Sequence, residues 1–546
     1  MGARRPIGIF CGLVAAIWIV LPALAVPLSA IVDHGPDGPP RLTAFHIALA
    51  LSDDSAVEMV RNSAILATIV SALAMALGVG LGRLAAGPRY LGRETLLALA
   101  RAPRSYPPMI AAVGMIGVFQ LFTADHASMW GWIALGWVEL AWAVPRVMAA
   151  SSAAFTAVDA SWIDAARLAG AKKSRVRGRL GWPLARSPVA RSVAEVFAFT
   201  LFEPGAPLIL GIRRTLPVGL IEAALGLDRE ARAAVLATIG LGLAFAARGL
   251  ILAWGGPPRP IPIAKAASNE SSLAGSWAIL PLTTWATVAL LPIAGLAAMA
   301  LGLDRAGRFR LDGLVASVSD HGAIGVLRDS LLVGLGATAF AGLLAWGLNP
   351  ARGRWWLDPA SWPATLPPLA FGLGVVLVPG LLDAVATLTG TRGGWISSGT
   401  RSLADLFDPY RSPWVVLVAA TAILRVPALR AAIAEARAGD DQDALDAART
   451  LGAPRWRAWV TTAAPAVSAI LAAALSVSIA RAALDAAPAL LLSRTMSARP
   501  VAVAIVGLSH EPDGPRRAAV LALAALILPV FAWIVAGARR GQRVST

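Results

Sequence analysis

The sequence predicts an all-α polytopic membrane protein of about twelve transmembrane helices, arranged as two parallel six-helix repeats. Three observations predict it. Of the 546 residues, 57% are hydrophobic and only 15% charged, with a mean hydropathy of +0.67, whereas an ordinary soluble domain is about half apolar and about a quarter charged. The apolar residues gather into runs close to the ~20 residues a helix needs to cross a bilayer. Residues of the first half also recur in the second at a constant spacing, as Asp164-Ala165-Ala166-Arg167 recurs at Asp446-Ala447-Ala448-Arg449.

The runs lie at 6–32, 62–86, 107–123, 129–150, 188–212, 233–254, 276–301, 327–348, 362–385, 412–430, 467–492 and 517–538. The first follows Arg4 and Arg5, as a signal peptide would, but it outlasts a signal core and no small-residue cleavage site ends it, so it reads as a retained span. Cys11, the one cysteine, lies within this run, which leaves neither a disulfide framework nor a thiol metal site. It is expected to pack against a neighbouring helix.

The formal net charge is +16, yet the arginines stand in short clusters between apolar runs rather than on one solvated face. That distribution excludes a nucleic-acid surface and fits the positive-inside rule. With a cytoplasmic N-terminus, Arg89 to Arg104, Arg167 to Arg191, Arg352 with Arg354, and Arg539 to Arg543 fall inside. The acidic connection holding Asp33, Asp37, Asp53, Asp54 and Glu58 falls outside; Arg213 with Arg214, and Arg305 to Arg310, fit this topology less well. The C-terminus is then also cytoplasmic. The abundant tryptophans, such as Trp130 with Trp132 and Trp355 with Trp356, lie near the ends of runs, where aromatic belts form.

The stretch from Gly255 to Ser276 is rich in Pro, Gly and Ser and favours an irregular linker. It divides the chain into a first repeat over residues 1–255, a cytoplasmic linker over 256–275 and a second repeat over 276–546. Val144-Pro145 returns as Val426-Pro427, Gly170-Ala171 as Gly452-Ala453, Pro183 as Pro465 and Glu203 as Asp485, while Pro107-Pro108 returns at a shorter offset as Pro367-Pro368. The shared segment follows the fourth run of each half, so both copies face one side of the membrane and the repeat is parallel rather than inverted.

Each copy reads as a short helix, a glycine break and a second helix. Asp164 and Asp446 are expected in or near the first helical turn, where the macrodipole favours a carboxylate. Gly170 and Gly452 can take positive φ and turn the chain sharply, and Pro183 and Pro465 are expected to introduce the next membrane helix. Both segments resemble the cytoplasmic coupling loop of binding-protein-dependent ABC permeases: Glu-Ala-Ala, three residues, Gly, then Pro thirteen residues on. Gly170 to Pro183 and Gly452 to Pro465 keep that spacing. Asp replaces Glu in both copies, and Trp182 and Ala464 precede the prolines where the pattern tends to have an aliphatic residue.

The resemblance implies the type I ABC importer permease fold and a bacterial inner-membrane importer. Asp164, Ala165, Ala166, Gly170 and Pro183, with Asp446, Ala447, Ala448, Gly452 and Pro465, would then couple to two copies of a cytoplasmic ATPase. An external substrate-binding protein would deliver the cargo. No Gly-Lys dipeptide occurs, so the phosphate loop G-x-x-x-x-G-K-[ST] is absent; the chain is a transport subunit and not an enzyme, with no cofactor of its own and ATP consumed by its partners. FAFTLFEPGAPLILG after the first loop most resembles ferric-iron permeases and their thiamine-transporting relatives, which implies ferric iron as the cargo, with thiamine, polyamine or another small solute as the alternative.

Glu203 and Asp485, matched by the repeat, are candidates for the translocation path, since an ionisable group in a span is costly unless it faces a cavity or a partner. The competing reading has each capping a helix break near the outer surface, with Arg481 neutralising Asp485 from one turn away. The five histidines show no metal-ligand spacing. An ion-coupled secondary carrier would leave the two loops unexplained, and an intramembrane enzyme would need a catalytic cluster that the sequence lacks.

Overall fold

A computed structural model describes residues 4–33, 40–87, 90–122, 127–158, 160–171, 173–226, 230–257, 277–303, 308, 321–348, 363–388, 395–438, 442–493, 499–512 and 514–542. Among these the regular secondary structure is helical apart from one two-residue antiparallel pair, Val32–Asp33 with Arg41–Leu42. Of the 256–275 linker, only Gly256 and Pro257 are among the described residues, and Trp355 and Trp356 lie outside them.

Ten of the described helices are long and apolar enough to cross a membrane, or eleven when Arg455–Thr462 and Val467–Ala483, bent by 58°, count as one broken span. The expected twelfth, at 107–123, forms a helix of 15 residues, Pro108–Phe122. At ~1.5 Å per residue it falls short of a bilayer core of ~30 Å. Its late start has a local cause: Tyr106 is extended, as the residue before a proline is pushed to be. The break expected at Pro183 occurs in only one copy. Pro465 opens the helix Ala464–Ala483, but Pro183 and Pro188 both lie within one continuous helix, Lys173–Phe202. That helix packs against Asp54–Ala85, Ala127–Thr156 and Glu230–Gly255, and neighbours on several sides hold a membrane helix together across a proline.

The two halves reproduce each other's contacts. The helix Arg4–Ser29 packs against Pro368–Leu388 of the second half, and Ile279–Ala300 packs against Pro108–Phe122 of the first. Each half therefore lends its first helix to the other. Glycine permits both crossings: a Cβ at Gly374 would strike the Pro22 carbonyl, and one at Gly114 would strike the Pro292 carbonyl. Equivalent serines also do equivalent work. The buried Ser63 hydroxyl accepts the Leu216 N–H at 2.8 Å, and the buried Ser330 hydroxyl accepts the Val501 N–H at 2.6 Å. Cys11 is buried and faces the Leu343 carbonyl at 4.0 Å.

Backbone-to-backbone packing of this kind replaces the hydrophobic effect inside a bilayer, where lipid tails are as apolar as the helices themselves. Gly114→Val is accordingly expected to cost about 1–3 kcal/mol through overpacking, read as a lower unfolding midpoint in detergent. Gly80→Val, at a position where the described residues leave open space around the added Cβ, is the control and should be neutral or slightly stabilising, since glycine is the poorer helix former.

The acidic connection ahead of the second span has partners. Asp53 caps the helix Asp54–Ala85 by accepting the Ser55 N–H at 2.9 Å, and pairs with Arg232 at 2.6 Å. The Ser55 hydroxyl, with smaller contributions from the Ser55 N–H and Arg232, holds the Asp53 carboxyl below the usual carboxylate range. Glu58 pairs with Arg214 at 2.9 Å, so one of the arginines that fitted the charge rule less well is neutralised where it stands.

Candidate functional site

The two loop segments fold alike. Ala160–Leu168 and Gln442–Thr450 are helices of nine residues each, in register with the sequence repeat. Each ends in a left-handed glycine, Gly170 at φ +84° and Gly452 at φ +88°. Behind the glycine the chain closes back on the helix, with Ala171 N–H donating to the Ala166 carbonyl at 3.0 Å and Ala453 N–H to the Ala448 carbonyl at 3.1 Å. This is a Schellman ending, which needs φ > 0 at one residue. A second helix follows in both copies, Lys173–Phe202 and Arg455–Thr462.

Asp164 and Asp446 are both exposed, but each is the fifth residue of its helix rather than part of the first turn. The sequence placed the helix starts too late, and helix ends are where such readings are weakest. Asp446 instead pairs with Arg449 at 3.2 Å, one turn on. Ala165, Ala447 and both glycines are exposed as well, and beside them stand large apolar groups open to solvent, with Leu168 91%, Leu451 88% and Trp456 69% exposed. Exposed apolar side chains rimmed by charge mark a surface that meets another protein or a membrane.

Glu203 and Asp485 meet in one place, a cavity of ≈ 270 Å³ between the halves, along with both proline pairs, Pro107-Pro108 and Pro367-Pro368. Glu203 sits where the chain breaks between Lys173–Phe202 and the short helix Gly205–Ile209, and its two oxygens accept the Gly205 and Ala206 N–H groups at 3.0 and 2.9 Å. It caps a turn and lines the cavity at once, although it is buried rather than at a surface. Glu139 is buried as well, and accepts the Thr200 hydroxyl at 3.0 Å.

Asp485 does not look to Arg481 one turn back. Its carboxylate pairs with Arg425 of the helix Pro413–Ala438, a neighbouring helix that the sequence spacing could not supply. Five arginines line the cavity, Arg104, Arg146, Arg248, Arg425 and Arg481, against Glu195, Glu203 and Asp485. The lining thus holds two more positive than negative charges. The Arg146 guanidinium stacks over the Trp142 ring at 3.7 Å, and Trp142 in turn stacks on Phe199 at 3.8 Å.

Sequence reading found the loops, the acids and the proline pairs but passed over the arginine lining. The signal was there: Arg146 directly follows Val144-Pro145 and Arg425 directly precedes Val426-Pro427, both inside apolar runs where a charge is expensive. Among the described residues, no three or more His, Cys, Asp or Glu side chains are grouped to hold a metal ion.

No family model matches the chain, and no solved structure matches it significantly. Three curated proteins are similar to part of it. A probable molybdenum ABC transporter permease protein of Haloferax volcanii is 28% identical over 219 residues, covering 39% of this chain and 80% of that protein. A molybdate/tungstate transport system permease protein of Thermococcus kodakarensis is 25% identical over 195 residues, covering 32% of this chain and 77% of its own length. Its counterpart in Pyrococcus abyssi is 26% identical over 160 residues, covering 29% and 62% respectively. The chain is therefore an almost wholly helical polytopic membrane protein related in sequence to the permease subunits of ABC transporters.

Proposed function

We propose that this chain is the permease of an ABC importer, that residues 1–255 and 276–546 are its two pore halves fused in one polypeptide, and that its cargo is a tetrahedral oxyanion of the molybdate or tungstate kind. The observation that carries the reading is the pair of equivalent exposed helices, each closed by a left-handed glycine and placed at the same point of its half. Two docking sites on one chain suit two ATP-binding subunits. The exchange of first helices between the halves, and the matched Ser63 and Ser330 contacts, support the duplication.

The Asp-Ala-Ala helices bind the ATPases, and closure of those subunits moves the helices that follow each glycine. The cavity between the halves is the passage, and a substrate-binding protein delivers cargo on the face opposite the loops. The protein sits in the cytoplasmic membrane with both termini inside.

For the cargo, ferric iron gives way to oxyanions on two grounds. The similar proteins are described as molybdenum and molybdate/tungstate permeases, and a cavity lined by five arginines against three acids repels a ferric ion and attracts an anion. The test is metal accumulation measured by mass spectrometry in cells lacking this chain and in cells given it back. Restored molybdenum or tungsten with unchanged iron is the expected result; restored iron alone overturns the cargo.

A further inference from the structure

We infer that the cavity holds a site for one dianion at the seam between the halves, gripped by Arg146 from the first half and Arg481 from the second. This rests on reading the cavity as the passage. It goes further in naming the residues that touch the cargo and the charge they are set to receive.

The argument is one of charge and position. An uncompensated positive charge among membrane helices is costly, and the lining carries an excess of two. A doubly charged oxyanion cancels that excess, whereas a monoanion leaves half of it and any cation adds to it. The five guanidinium groups are not equivalent. Arg425 already holds the Asp485 carboxylate. Arg146 and Arg481 form no ion pair within 4 Å with an acid among the described residues; both feel Glu195 at longer range, together with the charges of Arg104 and Arg425, and Arg481 also feels Asp485.

Arg146 is also held in place, its plane laid on Trp142 and the Trp142–Phe199 stack behind it. A fixed guanidinium presents its N–H groups to an oxyanion at little further entropic cost. Phe199 occupies the repeat position that Arg481 occupies in the second half, so the site is asymmetric: one half supplies an arginine on an aromatic stack, the other an arginine directly. An anion held by both bridges the halves, and any movement that parts them opens the site and releases it.

The experiment is tungstate binding by calorimetry to the full purified chain in lipid nanodiscs. We expect tungstate and molybdate to bind and perchlorate, a tetrahedral monoanion, to bind at least tenfold more weakly. Arg146→Gln and Arg481→Gln should each weaken tungstate by about tenfold, as loss of a charge-assisted hydrogen bond does, while the lysine variants retain most of the affinity. Asp485→Asn frees Arg425 and should tighten tungstate several-fold, a gain that a misfolded protein cannot mimic.

Glutamine variants that bind as the parent does, perchlorate bound as well as tungstate, or no gain in Asp485→Asn would each overturn the site. Its failure is separable from that of the permease reading. A chain that copurifies with an ATPase but ignores tungstate loses the site alone, and one that binds tungstate but never meets an ATPase keeps the site and loses the importer.

Discussion

Valine at both Gly170 and Gly452 is expected to abolish ATP-driven uptake while leaving the chain inserted and packed. Both glycines hold φ near +85°, a region that costs an ordinary residue about 1–2 kcal/mol and a β-branched one more. Among the described residues, chain neighbours aside, nothing lies within 4 Å of an added Cβ at either position, so the penalty is conformational and local. To relieve it, the Schellman turn must open, and the helix Ala160–Leu168 or Gln442–Thr450 then no longer points where its partner waits. Uptake should fall by more than tenfold, since closure of the ATP-binding subunits is then no longer transmitted through the loops. The unfolding midpoint should move little. Alanine at both sites, which tolerates positive φ better than valine, should give an intermediate loss. Uptake at the parent rate in a well-expressed double valine variant removes these loops from the coupling mechanism.

The second large effect concerns the Arg425–Asp485 pair. Replacing Arg425 by leucine leaves the Asp485 carboxylate in a largely buried setting without its partner, and breaking a buried pair from one side typically costs about 3–5 kcal/mol. Replacing both by leucine removes the stranded charge together with its partner, and such exchanges are often neutral or stabilising. The expected series in thermal unfolding is therefore a marked loss for Arg425→Leu, a comparable loss for Asp485→Leu, and substantial recovery in the double variant. Additive losses would mean that the two side chains act independently. Because the double variant also leaves the count of excess charge unchanged, it should still bind tungstate, which separates the stabilising role of this pair from the grip assigned to Arg146 and Arg481.

What the sequence made legible was whatever is written locally or twice. Apolar runs announced the spans because a bilayer imposes their length, and the two glycine turns announced themselves because positive φ, a following helix and a fixed distance to proline recur together. The broken Glu203 turn was visible in Glu-Pro-Gly. Tertiary pairing was not. Asp485 had an arginine one turn away on its own helix, and no spacing rule could say that Arg425, 60 residues back, would reach it first.

The arginine lining escaped for a related reason. Arg146 follows its Val-Pro pair while Arg425 precedes its own, so the two halves place their charges at unmatched positions, and a search for repeated residues passes over them. Pro183 shows the opposite limit. The sequence rule that a proline ends a helix is sound for an isolated helix, but packed neighbours carried Lys173–Phe202 through it.

The cargo was overread from one stretch. FAFTLFEPGAPLILG carries the turn that places Glu203 and supplies one acid to the cavity wall, but it contains none of the five arginines that set the sign of the lining. The sign of the cavity, set by side chains from several helices, bears on that question far more directly.

The central claim is that this chain is a complete pore with two docking sites for ATP-binding subunits. The direct test is to crosslink native membranes, recover the tagged chain in detergent and quantify what accompanies it by mass spectrometry. Two ATP-binding subunits for each chain, falling away in the Gly170 and Gly452 double valine variant, is the result expected. A clean preparation with no ATP-binding subunit, from crosslinked membranes and in several detergents, would contradict it.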